Sequence, residues 1–170
     1  MLDKQFFRAF EAVADASPVF KQFRALPLIA EMNPRECSLL FSCFKIKHFE
    51  MGQIIYEAGK PSGSQMHLIL NGHASVVNSN NHVYATLQEG EVFGLFSFLD
   101  ESRLHSATVK ADSGLIVLVL DREYFNLVTI EDQPLGQLLL RFMFRLLSRM
   151  ALKLEVEYAA IHEFALSSRS

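Results

Sequence analysis

Seven of the eight glycines in this 170-residue chain fall between Gly52 and Gly114, and the eighth is Gly136. Glycine supplies the positive φ of tight turns at no steric cost, so a cluster of turns, and the short strands they join, is confined to the middle of the chain. The apolar pattern agrees. Between residues 45 and 120 its period changes from 3.6 to 2, giving candidate strands at 45–49, 53–56, 66–70, 74–78, 82–87, 107–111 and 115–120. Asn71-Gly72 carries the strongest hairpin signal, because a type I′ turn needs positive φ at both central residues. Short strands at this spacing imply a compact antiparallel sandwich or barrel.

The flanks read as helix. Residues 1–44 suggest short helices, with Phe6, Phe7, Phe10 and Val13 on one face and Asn33-Pro34-Arg35-Glu36 as an N-cap followed by proline. A short helix is expected over 122–128 and a long one from Pro134 to about Ala165. The long segment is apolar enough to imitate a membrane span, but it carries Arg141, Arg145, Arg149 and Lys153. Each cation costs about 2.5–3.5 kcal/mol at a bilayer centre, so no membrane insertion is expected. One cation every fourth residue instead draws a narrow solvated stripe on a helix covered elsewhere by protein.

Composition removes further classes. Half the residues are hydrophobic and 21% charged, which excludes a disordered chain, and the formal charge of −3 argues against a bulk nucleic-acid binder. Cys37 and Cys43 are too few for a disulfide framework and lie in an apolar run, as core residues do. The six histidines show no metal-ligand spacing, and no nucleophile-elbow or phosphate-loop motif appears, so neither a metal nor an enzymatic activity is expected. The N-terminus lacks the apolar run of a signal peptide, and a cytoplasmic protein is expected.

Three segments resemble one family: Met51-Gly52-Gln53-Ile54-Ile55-Tyr56-Glu57-Ala58-Gly59, His67-Leu68-Ile69-Leu70-Asn71-Gly72, and Gln88-Glu89-Gly90-Glu91-Val92-Phe93-Gly94. In order and spacing they are similar to the cyclic-nucleotide-binding domain of catabolite-activator-like proteins, kinase regulatory subunits and gated channels. The resemblance covers roughly residues 25–165. It implies an antiparallel β-roll with N-terminal helices and a long C-terminal helix. The implied divisions are 1–24 as an N-terminal extension, 25–133 as the β-roll and 134–166 as a dimerisation helix.

The resemblance also implies how a cyclic phosphate would be held: by an arginine, by backbone N–H groups at a short helix, and by a glutamate on the ribose directly after the Phe-Gly pair. Leu95 stands in place of that glutamate and His105 in place of that arginine, while Ser106, Ala107 and Thr108 keep the flanking pattern. The residues expected to line this degenerate cassette are Phe93, Gly94, Leu95, Phe96, Ser97, Arg103, His105, Ser106, Ala107 and Thr108. Positions matching the family's base-contacting hydroxyls fall near Ala151 and Leu152, which offer none. A charge-assisted hydrogen bond contributes roughly 1.5–3 kcal/mol. Losing both anchors removes on the order of 3–6 kcal/mol, or roughly 10²–10⁴-fold in affinity. Cyclic nucleotide is therefore not expected as a cofactor, although Arg103 and His105 remain available to an anion.

Leu139, Met143, Leu146, Met150, Leu154, Tyr158 and Ile161 recur at steps of three and four, as a helix–helix seam requires. A second stripe with Leu135, Leu138, Phe142, Leu147 and Leu152 is placed to pack on the roll. In the family the long helix pairs with its twin, so a homodimer is expected. No helix-turn-helix, kinase or channel segment is recognisable, and the expected role is a non-enzymatic signalling or scaffold module acting on another protein in trans. The alternative is a true sensor of a cyclic mono- or dinucleotide (cAMP, cGMP or cyclic di-GMP).

Overall fold

Side-chain caps fix where the first helices begin. The computed structural model describes residues 17–167 except Ser62, Ser79, Glu101 and Arg103, so the Phe6–Phe7–Phe10–Val13 face lies outside the described residues. Ser17 caps α1 (Pro18–Ala25), and Asn33 caps α2 (Pro34–Ser42) by accepting a 2.9 Å bond from the Glu36 N–H. Both helices carry proline in the first turn, where the missing N–H costs nothing.

Eight strands follow: β1 (Lys45–Phe49), β2 (Ile54–Tyr56), β3 (Gln65–Asn71), β4 (Ala74–Val77), β5 (Val83–Leu87), β6 (Val92–Phe93), β7 (Thr108–Ala111) and β8 (Leu115–Asp121). They form two antiparallel four-stranded sheets, ordered β1-β8-β3-β6 and β2-β7-β4-β5. This is the expected β-roll. The short helix α3 (Leu95–Leu99) follows β6, and α4 (Arg122–Glu131) and α5 (Gln133–Ser167) close the chain.

Strand alternation feeds two cores. On β8, Leu118 and Leu120 face the helices, while Leu115, Val117 and Val119 face the space between the sheets. On β3, Met66, Leu68 and Leu70 join the helical side and Ile69 the interior, which places His67 on the interior parity. The helical core gathers Phe20, Phe23, Leu40, Leu138 and Phe142; the roll interior gathers Phe93, Val109 and Ala111.

The Asn71-Gly72 turn is not a hairpin. It carries the chain from one sheet to the other, since β3 pairs with β8 and β6 whereas β4 pairs with β5 and β7. Gly72 has φ +88, and a Cβ there would lie 2.4 Å from the Gly114 carbonyl oxygen, so close approach of two turns demands the glycine. The hairpin of that region is β4–β5, turned by Asn78, whose Oδ1 accepts from the N–H groups of Asn80 and His82.

α5 has two halves. Its first turns are anchored by Gly136, Leu138, Leu139, Phe142, Met143 and Leu146, all buried, and α4 crosses so close at Gly136 that a Cβ would meet the Thr129 Cα at 2.8 Å. Beyond Met150 every described residue is exposed, a rod of about 25 Å at 1.5 Å per residue. Leu139, Met143 and Leu146 therefore serve the chain's own core and not the inter-subunit seam expected for them, and Met150 is half-buried against that core. Leu152, expected on the roll, is exposed. The register differs because α2 and α4 cover the face of α5 that sequence periodicity alone had assigned outward. Among the described residues no helix is long and apolar enough to cross a membrane.

Candidate functional site

The cassette hangs from the end of β3. His67 pairs with Phe93 across β3 and β6, and the chain then turns at Gly94, with φ +77. A Cβ at Gly94 would lie 2.8 Å from the Gln65 carbonyl oxygen, so conformation and space both require glycine. α3 begins at the next residue. Leu95 is 1% exposed and belongs to the helix-side core, whereas Phe96 is 52% exposed. Neither plugs the roll: one is a structural anchor of α3 and the other faces solvent.

Beneath the cassette the rings of Phe49, His67, Phe93, Tyr56 and His105 run in a row. The His67 and Phe93 rings stack at 4.7 Å and 3°, and Tyr56 and His105 at 3.9 Å and 8°; Tyr56–Phe93 and Phe49–His67 are tilted contacts at 5.9 and 6.4 Å. Burial pushes the Tyr56 phenol up to about 12, with the charge of Tyr84 adding to the rise and the hydrogen bond from the Gly94 backbone opposing it. His67 is buried with Nδ1 unpartnered among the described residues. Burial first, then the charges of Lys47 and His105, push its imidazole down to about 4.

His105 is buried, 8% exposed. Its Nε2 accepts the Gly63 N–H at 3.3 Å, so that nitrogen carries no proton and the ring hydrogen sits on Nδ1, 3.5 Å from Ser97 Oγ. Burial lowers its pKa, and the ring is neutral at pH 7. Its backbone is tied to the neighbouring turn, Gly59 N–H to the His105 carbonyl at 2.8 Å and His105 N–H to the Lys60 carbonyl at 3.0 Å. Thr108 Oγ1 accepts the Ala58 N–H at 3.1 Å, Ala107 is buried and Ser106 is exposed. Ser97 and His105 are thus brought together, with Phe93 and Gly94 reached through Tyr56. Arg103 lies outside the described residues.

Arg122, at the start of α4, was not singled out in the sequence. Its Nε donates to the Phe98 carbonyl at 2.6 Å, Nη2 donates to the Ser97 carbonyl, and the guanidinium lies 5.9 Å from the Phe98 ring centre. A cation at the C-terminal end of α3 complements its carbonyls and ties the cassette helix to α4. Only three-dimensional contact reveals this role, because 24 residues separate Arg122 from Phe98. Tyr56 and His67 were likewise unmarked as site residues, both reading as strand.

A separate open cleft of about 470 Å³ is lined by Gly72, His73, Thr86, Gln88 and Glu89. It lies at the other end of β3 from Gln65 and Gly94, about 20 Å away at 3.3 Å per residue, and shares no lining residue with the cassette. On α5, Leu140, Phe144, Leu147, Ala151, Leu154, Tyr158, Ile161 and Ala165 form one stripe of exposed or half-buried residues at alternating steps of four and three. It keeps Leu154, Tyr158 and Ile161 of the expected seam and replaces the buried members by their neighbours.

The sequence profile of the cyclic nucleotide-binding domain matches residues 46–131, just over half of the chain. Over 108 residues the chain is 23% identical to human cGMP-dependent protein kinase 2, an alignment covering 61% of this chain and 14% of the kinase. A cyclic nucleotide-binding domain from Methylobacillus flagellatus superposes with a TM-score of 0.68 at 20% identity, over 92% of this chain and 84% of that one. The structure described as Sp-2Cl-cAMPS bound to PKAR CBD2 gives 0.61 at 20% identity, over 94% of each chain. An antiparallel roll, a Phe-Gly turn into a short helix and a long closing helix thus agree with the profile match, and the chain belongs to the cyclic nucleotide-binding domain family.

Proposed function

We propose that this chain is a non-enzymatic regulatory module whose nucleotide site has lost its charge, and that it works as a homodimer contacting another signalling protein in trans. The observation that carries the reading is His105. At the position matching the family's phosphate-binding arginine stands a buried imidazole whose Nε2 is committed as an acceptor to the Gly63 N–H. A lone pair held toward an amide is a poor counter-charge for a phosphodiester, and a buried anion needs a cation or several N–H donors. The described residues of the cassette from Phe93 to Thr108 contain no lysine or arginine. Leu95, turned into the helix-side core, offers the ribose no acceptor. The apolar stripe of α5 supplies a surface for self-association and for a partner helix.

A second reading, a sensor of a cyclic mono- or dinucleotide, is favoured by the family match and by the neighbour described with Sp-2Cl-cAMPS bound. Isothermal titration calorimetry of the full chain with cAMP, cGMP and cyclic di-GMP separates them. Dissociation constants weaker than about 100 μM are expected, given a loss of about 10²–10⁴-fold from a micromolar site. Low-micromolar binding of any of the three overturns the degenerate-site reading.

A further inference from the structure

The segment between β2 and β3 is fastened to a single residue. The Gly59 N–H donates to the His105 carbonyl at 2.8 Å, the His105 N–H to the Lys60 carbonyl at 3.0 Å, and the Gly63 N–H to His105 Nε2 at 3.3 Å. Pro61 and Leu104 form an antiparallel bridge beside them. The same imidazole stacks on Tyr56 of β2 and sets Nδ1 3.5 Å from Ser97 Oγ of α3. One side chain thus joins the 57–63 turn, the roll and the cassette helix.

This joint works in one protonation state. Nε2 offers Gly63 a lone pair or carries a hydrogen of its own, never both, and an imidazolium has no acceptor left. Protonated in place, the ring would point its Nε2 hydrogen at that of Gly63 and leave the amide without a partner. The new charge would also lack a counter-ion. The elements packed on the ring present Tyr56 from β2, whose phenol is pushed up to about 12, and the hydroxyl of Ser97 from α3. His67 on β3 is itself basic, and the two imidazole charges oppose each other. On the turn, Glu57 and Lys60 are exposed; Glu101 and Arg103 lie outside the described residues. The ion pairs among the described residues join Arg141 to Glu36 and Lys153 to Glu91 and Glu157, none of them at His105. A buried cation with no opposite charge is more stable in water than in this slot.

We propose that His105 is a proton-operated latch: on taking up a proton its imidazole gives up the Gly63 N–H, leaves Tyr56 and frees the 57–63 turn from the cassette, while both cores stay folded. The latch uses the hydrogen bond that carries the reading above but stands apart from that reading, since no nucleotide enters its test. The test is amide hydrogen exchange of the full chain at about pH 7.5 and pH 5.5, read by nuclear magnetic resonance as protection relative to the intrinsic rate at each pH, together with the nitrogen shifts of the His105 ring. At about pH 7.5 the ring hydrogen is expected on Nδ1. A ring that regains an ordinary pKa of about 6.5 when released raises the open population up to about tenfold over this range, so Gly63 protection should fall about 5–10-fold. It should stay below that of the fully buried Leu118 at both pH values, which marks the opening as local. His105→Gln, whose amide oxygen accepts the same N–H and does not titrate, should abolish the fall, and His67→Phe should keep it. A hydrogen on Nε2 at about pH 7.5, Gly63 protection that ignores pH or equals that of Leu118, or an equal fall in His105→Gln overturns the latch. All but the last are read on the unsubstituted chain and decide the matter even where the variant fails to fold.

Discussion

Replacing His67 by phenylalanine should remove much of the acid sensitivity of this fold. His67 is 7% exposed, stacked on Phe93, and held neutral by burial with its imidazole pushed down to about 4 from the usual 6.5. Below pH 6.5 the unfolded chain takes up this proton while the folded chain does not. Stability present above pH 6.5 is therefore lost as the pH falls toward 4, and His105, shifted in the same direction by burial, adds to the loss. At about 1.36 kcal/mol per pKa unit the full effect of His67 is about 3.4 kcal/mol, of which roughly 1.5–2 kcal/mol falls between pH 7 and pH 5. Phenylalanine keeps the ring against Phe93 and removes both the proton site and the unpartnered Nδ1. The assay is urea denaturation followed by circular dichroism at the two pH values, for the unsubstituted chain and for His67→Phe. Carboxylates titrate in both proteins, so the difference in pH dependence isolates His67. If His67→Phe loses as much stability between pH 7 and pH 5 as the unsubstituted chain, the reasoning is wrong.

The cassette yields three more expectations. Gly94→Ala forces a side chain into φ +77 and against the Gln65 carbonyl oxygen, and should lower the urea stability by about 2–4 kcal/mol; an unchanged midpoint would contradict the left-handed geometry. Arg122→Met keeps an aliphatic stem on Phe98 but strips the donors from the Ser97 and Phe98 carbonyls, so amide hydrogen exchange in α3 should accelerate about 10–100-fold, in keeping with about 1.5–3 kcal/mol for hydrogen bonds to a charged group. His105→Arg restores a fixed charge at the cassette and should tighten cAMP or cGMP binding about 10–100-fold in calorimetry, for the same energy; no gain would mean that charge is not what the site lacks.

The fold was legible in the sequence wherever a local rule decides the conformation. Asn33-Pro34 capped a helix as expected because the Asn side chain reaches an amide only three residues on. The 45–49 strand fell at the expected residues, 66–70 fell a residue short of β3 at each end and 115–120 a residue short of β8 at its C-terminal end, because short runs bounded by turn residues mark a strand in the residues themselves. Elements that depend on distant partners were harder. β6 is two residues long and exists through pairing with His67 and Leu68, which no period can announce. Asn71-Gly72 has hairpin chemistry, but its neighbours sit in different sheets, and the glycine answers to Gly114 across the turn. On α5 the apolar residues cover most of the circumference, so periodicity left the register of the outward stripe undetermined by one position; burial of Leu139, Met143 and Leu146 against the chain's own core decides it.

At the cassette the residues that carry the resemblance and the residues that would carry the chemistry are different sets. Gly94 is required by the Gln65 carbonyl, Ala107 and Leu95 by burial, and Phe93 by its stack on His67. Thr108 is required by the Ala58 amide, and the end of α3 is held by Arg122. Each of these serves packing or hydrogen bonding within the chain, so the frame is stable with or without an anion in it. In this chain His105, stacked on Tyr56 and accepting the Gly63 N–H, and Leu95, in the helix-side core, also serve the fold. The frame is thus a statement about stability, and recognition of a nucleotide depends on the charge that the side chains of the cassette can present.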